Sequence, residues 1–145
     1  MTFSGDLGAM GQLAARIGDL ARLPSRVSAR VAEDIDAAIQ SEFDGGHDPY
    51  GKAWEALAPA TLDRGRTPPP LTDSGAMRAS LVVAPLPRAG VGIQIAHPAA
   101  PHQTGWSGPV GSGPARPILP AGVMPATWNE AIRTACEDEF GRAVR

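Results

Sequence analysis

Val27-Ser28-Ala29-Arg30-Val31-Ala32-Glu33-Asp34-Ile35-Asp36-Ala37-Ala38-Ile39-Gln40-Ser41-Glu42-Phe43 decides how this chain folds. Val27, Val31, Ile35, Ile39 and Phe43 recur every four residues, with Ala32 and Ala38 beside them, which is the spacing of one apolar helix face. Arg26, Arg30, Glu33, Asp34, Asp36 and Glu42 occupy the other faces. The spacing predicts a helix over 25–43, with Ser25 as its N-cap. Asp44-Gly45-Gly46 supplies the left-handed residue that commonly ends a helix.

Working outward toward the N-terminus, Leu7, Met10, Leu13, Ala14, Ile17, Leu20 and Ala21 form a second apolar stripe and predict a helix over 6–22. Gly8, Gly11 and Gly18 each cost about 1 kcal/mol against alanine in a helix interior, so this helix needs tertiary or inter-subunit support. Leu23-Pro24 is expected to break it from the next, because the residue before proline disfavours helical dihedrals.

Toward the C-terminus, residues 44–70 read as loop, with a short helix at most near Thr61–Arg64 and a stiff, extended Thr67-Pro68-Pro69-Pro70. A short helix over Ser74–Ala79 leads into a strand at Ser80–Ala84. Val91–Ala96 alternates as a half-buried strand does, and the two make a hairpin. Ala99–Thr104 fits one helical turn. Gly105–Arg116 is too rich in glycine and proline for regular structure, and Pro117–Leu119 adds a short edge strand. A last helix over 125–141 starts at Pro125 and turns Trp128, Ile132, Ala135 and Phe140 to one face, with Cys136 at its border. The expected fold class is therefore α+β, one domain over 1–145: N-terminal helices and a C-terminal helix packed on a small antiparallel sheet, with long Gly/Pro-rich loops.

Composition narrows the function. The chain has 145 residues, 17 glycines, 15 prolines and a 43% hydrophobic fraction, much of it alanine, so the core is thin. A net charge of -2 gives no electrostatic case for sequence-specific DNA binding. Cys136 is the only cysteine, which rules out an intrachain disulfide. No apolar run approaches membrane-spanning length, and no secretory signal is visible, so assembly inside the cell is expected.

The residues that carry chemistry elsewhere do not form a catalytic pattern here. His97 and His102 are five apart with Pro98 between them, whereas a helical zinc motif needs histidines four apart with a glutamate beside the first. No metal or cofactor is expected. Cys136 precedes Glu137-Asp138-Glu139, which disfavours a thiolate. Asp34, Asp36, Glu42, Asp44 and Asp48 read as a solvated acidic face. Asp48-Pro49-Tyr50-Gly51 is a turn that brings Trp54 back to the core, where its ring nitrogen needs a partner. Trp106, between Gly105 and Gly108, suits either a partner-binding anchor or local packing. Arg116, held between Pro114 and Pro117, suits a carboxylate on its own chain or on a neighbour.

Three signatures then stand in fixed order: Phe43-Asp44-Gly45-Gly46-His47-Asp48-Pro49-Tyr50-Gly51-Lys52-Ala53-Trp54 running on to Leu57 and Pro59-Ala60-Thr61; Leu71-Thr72-Asp73-Ser74-Gly75-Ala76-Met77-Arg78-Ala79-Ser80; and His102-Gln103-Thr104-Gly105 followed by Pro114-Ala115-Arg116-Pro117-Ile118-Leu119. Over residues 27–120 this order resembles the virion-morphogenesis, or tail-completion, proteins of tailed bacteriophages (tail terminator and neck proteins). Ser74-Gly75 departs from the commoner Thr-Gly, and Ala100-Pro101 stands where an aromatic often precedes His-Gln.

The resemblance implies a structural virion protein, not an enzyme. Such a protein forms a homo-oligomeric ring, a hexamer by the six-fold symmetry of tail tubes, that completes the tail and joins it to the DNA-filled head. It implies the tail tube protein and neck or connector proteins as partners, with genomic DNA passing through the lumen without sequence-specific binding, and no membrane. Assembly would take place in the bacterial host cytoplasm. Trp54, Gly75, His102, Gln103, Gly105 and Pro117 become structural motif residues. Arg64, Arg66, Trp106, Val110 and Arg116, on loops 63–70 and 105–116, become candidates for reaching adjacent subunits. Two other readings stand beside it: a small cell-wall hydrolase using His102 with an acidic partner such as Asp73, and a monomeric adaptor binding through Trp106.

Overall fold

A computed structural model describes residues 7–145, apart from 87, 89, 97, 98 and 110. The fold is α+β. One long helix, α1 (Leu7–Gly45), carries the body of the protein on its C-terminal half. Against that half pack the hairpin β1 (Val82–Pro85) and β2 (Val91–Gln94), and the C-terminal helix α5 (Ala126–Ala143). Between them lie three short helices, α2 (Pro59–Leu62), α3 (Ala76–Ala79) and α4 (Ala99–Thr104), and a second hairpin, β3 (Trp106–Gly108) with β4 (Gly111–Gly113). No helix among the described residues is long and apolar enough to cross a membrane.

The expected break at Pro24 does not occur: the two N-terminal helices are one continuous α1 with Pro24 inside it. Proline removes one donor, so the carbonyl four residues back loses its helical partner. That carbonyl belongs to Leu20, on the exposed part of the helix, where water can serve it. Serine hydroxyls also bind carbonyls around the proline. Ser25 Oγ donates to Arg22 O at 3.0 Å and Ser28 Oγ to Pro24 O at 2.8 Å. Ser25 is thus an interior residue of α1 rather than its N-cap. Gly46, with φ +65°, ends the helix as expected.

The apolar face of α1 builds the core. Val31, Ile35, Ile39 and Phe43 are buried with Trp54, Ala99, Ile118, Trp128 and Ala135 in one cluster. Phe43 meets Trp54 edge to face, with ring centroids 5.7 Å apart at 69°. The pairing Val82↔Gln94 through Pro85↔Val91 sets the first hairpin on this core. Its turn is tied to α1 where Gly90 N–H donates to the buried Ser28 Oγ at 3.0 Å. Arg26 Nε donates to Glu139 Oε2 at 2.9 Å, fixing the end of α5 against α1.

Four further expectations differ. Gly105–Arg116 is not irregular but holds β3 and β4, with Trp106 paired to Gly113. Pro117–Leu119 forms no strand, because a side chain rather than a neighbouring backbone takes its polar groups. Pro68–Pro69 is a cis peptide, so the proline run bends instead of staying extended. On α5 the face is turned relative to expectation: Phe140 is exposed and Glu139 buried.

The acidic stretch is not wholly solvated either. Asp48 is buried and caps its own turn, its Oδ1 accepting N–H bonds from Tyr50 and Lys52 at 2.9 Å. Glu42 is 3% exposed. Burial pushes its carboxyl up to about 8 from an ordinary 4.5, and the Asp48 charge adds to that push. The indole N–H of Trp128 pulls the other way, although neither Trp128 Nε1 nor Glu42 Oε2 makes a hydrogen bond. Between pH 4.5 and about 8 the folded chain therefore holds a proton that the unfolded chain has released. Stability then falls as pH rises through that window. The thermal midpoint of the natural chain is expected to drop across it, whereas Glu42→Gln flattens the profile and gains about 1–3 kcal/mol at the alkaline end. An unchanged slope in the variant would assign the pH dependence elsewhere.

Core and overhang also separate cleanly by mutation. Phe43, fully buried, is expected to cost about 3–5 kcal/mol as Phe43→Ala. Leu13, 59% exposed on the N-terminal half of α1, is expected to stay within about 0.5 kcal/mol as Leu13→Ala in the isolated chain. Chemical denaturation of both variants checks the contrast.

Candidate functional site

The motif residues converge on one side of the body, around the segments 54–57, 102–106 and 113–119. Trp54 lies beneath them. Its Nε1–H donates to Pro117 O at 2.9 Å, which supplies the partner its burial demands. Gln103, carried on α4, replaces a strand: its Oε1 accepts the N–H groups of Ile118 and Leu119, both at 3.0 Å, and its Nε2 donates to Leu119 O at 2.5 Å. One side-chain amide thus satisfies three backbone groups that an edge strand would have paired.

Arg116 is buried and faces inward. Its Nε donates to Glu55 O at 2.8 Å, its Nη2 to Ala56 O at 3.1 Å, and its backbone N–H to His102 O at 2.6 Å. The carboxylate expected for it is replaced by carbonyls of its own chain, so Arg116 is a strut between three segments. Gly105, at φ +76°, lets the chain pass close to the strut: a Cβ there would sit 3.0 Å from Ala115 N and 3.1 Å from Gly113 O.

Above the strut opens a cleft of about 550 Å³, lined in part by Arg66, Asp73, Ser74, His102, Trp106 and Arg116. Arg66 Nη1 pairs with Asp73 Oδ2 within this lining. His102 lies on its wall with Nδ1 buried and without a partner. Burial, and then the nearby Arg116 charge, hold the imidazole below its usual pKa, which favours the neutral ring. Trp106 is 41% exposed, and its indole lies across its cross-strand partner. A Cβ at Gly113 would fall 2.3 Å from the indole Nε1. A side chain there would have to displace the ring.

Arg66, Trp106, Arg116 and His102 therefore share one cleft, while Trp54, Gln103, Gly105 and Pro117 lie next to its lining residues in sequence without lining it. Arg64 is exposed, but it is not among the residues of the cleft. Gly75, at φ +69°, starts α3. Val110 falls outside the described residues, as does His97. Cys136 is exposed on α5. Among the described residues no group of three His, Cys, Asp or Glu side chains is arranged to hold a metal ion.

Read from sequence, Ser28 has no role, Glu42 lies on a solvated face and Tyr50 is only a turn residue, whereas in the fold Ser28 and Glu42 are buried and Tyr50 binds a distant loop. Ser28 and Glu42 were legible by phase, because 28, 31, 35, 39 and 42 keep the same helical face. Tyr50 carried no signal: its hydroxyl donates to Val123 O at 2.8 Å and accepts from Ala121 N–H at 3.1 Å, a contact made only in three dimensions.

Comparison of the chain with family models, with curated proteins and with solved structures finds no match.

Gln103→Ala would leave the N–H groups of Ile118 and Leu119 without their acceptor. The expected loss is about 1–3 kcal/mol, with Ile118 and Leu119 amides losing protection in hydrogen exchange before the rest of the core. Uniform loss of protection would show that Gln103 does not hold this segment.

Proposed function

We propose that this chain is a structural virion protein that forms a ring at the end of a phage tail or neck, completing the tail and joining it to the DNA-filled head. It catalyses nothing in this reading. Its partners are further copies of itself, the tail tube protein and neck or connector proteins. The observation that carries the proposal is the exposed apolar stripe on the N-terminal half of α1. Met10, Leu13, Ile17 and Leu20 are 65%, 59%, 59% and 40% exposed on a helix that continues beyond the body. An amphipathic helix with a solvated apolar face implies a partner in the functional assembly.

The motif residues support the same reading. Trp54, Gln103 and Arg116 all bind backbone, so their chemistry is that of holding loops rigid. Rigid loops present a fixed surface to a neighbour at little ordering cost. The net charge of -2 suits a lumen through which DNA slides without being gripped.

The cleft carries a second reading, hydrolysis through His102 with Asp73, since both line it. Asp73 is already paired to Arg66, which leaves His102 without its carboxylate. Replacing His102 by Gln separates the two: an enzyme loses turnover of cell-wall substrate and keeps its assembly, whereas a ring component changes only in packing or assembly.

Native mass measurement tests the main proposal. A species near six times the 15.0 kDa chain is expected, either alone or after addition of tail tubes. Deletion of residues 105–116 is expected to stop particle assembly. A chain that stays monomeric with and without tubes, and whose deletion variant still yields complete particles, would end the reading.

A further inference from the structure

An apolar groove of about 570 Å³ opens between the C-terminal half of α1, β2 and α5. Its walls include Val27, Val31, Val91, Trp128, Ile132 and Cys136. By helical spacing, the stripe Met10, Leu13, Ile17 and Leu20 runs straight on into Pro24, Val27, Val31 and Ile35, the α1 wall of this groove. One rod therefore carries an exposed apolar ridge on one half and an apolar groove on the other. Because α1 is continuous through Pro24, the ridge cannot fold back onto its own groove.

We infer that the 7–23 segment of α1 docks into the α1–β2–α5 groove of a second copy of this chain. The inference deepens the ring reading and rests on it for closure into a ring. Size supports this occupant. The 7–23 segment is about 25 Å long, and a helix of that length sunk half-deep hides about 500 Å² on each side. The joint then covers about 1,000 Å², the lower bound for a specific interface, and each copy in a ring makes two. Chemistry supports it as well. The ridge residues are Met, Leu and Ile, and the groove offers them apolar walls with the Ser28 hydroxyl already engaged.

Cys136, on the groove wall, provides the test. Within one chain Leu13 stands about 21 Å along the rod from the level of Val27, too far for a disulfide with a groove residue. Chains carrying Met10→Cys, Leu13→Cys or Ile17→Cys together with Cys136→Ser are mixed with a mass-tagged natural chain and oxidised. At least one mixture is expected to give the mixed disulfide with Cys136, at ten-fold or greater excess over the same mixture after denaturation. The same three substitutions with Cys136 retained then report closure. A ladder of linked multiples means head-to-tail joints, while linking that stops at a doubly bonded pair keeps the docking and overturns the ring at this joint. Ile17→Asp, at a position exposed in the single chain, is expected to keep its circular dichroism and melting profile while weakening self-association at least 100-fold. An oligomer that survives Ile17→Asp, or that forms no link to Cys136 from any of the three positions, overturns the docking and leaves the ring reading to other surfaces.

Discussion

The edge-to-face contact of Phe43 with Trp54 is the joint on which the rest of this structure hangs. Phe43 is the last core residue of α1, and Gly46 turns the chain immediately after it. The turn through Asp48 to Ala53, closed by the His47↔Ala53 bridge, returns Trp54 to the helix. Trp54 then holds Pro117 through its ring N–H. A contact between residues eleven apart in sequence thus fixes a segment more than sixty residues further on.

That arrangement explains how a chain so rich in glycine and proline keeps a defined shape. Its loops are not paired into an extended sheet. They are held by single polar side chains that each reach several backbone groups, with Arg116 and Gln103 the main examples. Each tie is at least partly buried, so breaking it leaves polar groups poorly placed to find water instead, which makes the ties matter more than surface hydrogen bonds. The N-terminal half of α1 follows the opposite logic. It is regular, apolar on one face and uncovered.

Much of this was legible in the residues. Period-four spacing placed the α1 face, period-two alternation placed β2, and the turn chemistry of Asp48-Pro49-Tyr50-Gly51 foretold the return of Trp54. The misreadings share a cause: local rules were outvoted by contacts distant in sequence. Pro24 stays helical because only one carbonyl is orphaned, and it lies where water reaches it. Pro117–Leu119 is not a strand because Gln103 took its partners. Glu42 is buried because its phase on the helix outweighed its charge, and Arg116 turned inward onto the carbonyls of Glu55 and Ala56. The cleft itself was not legible, since it draws on residues from 55 to 116 that no spacing connects.

The indole of Trp106 lying on Gly113 carries an evolutionary consequence. Any side chain at 113 must displace the ring, and loss of the ring would uncover Gly111 and Gly113 beneath it. Positions 106 and 113 should therefore drift in concert among descendants of this gene, large opposite small, even where the surrounding loop varies freely in length.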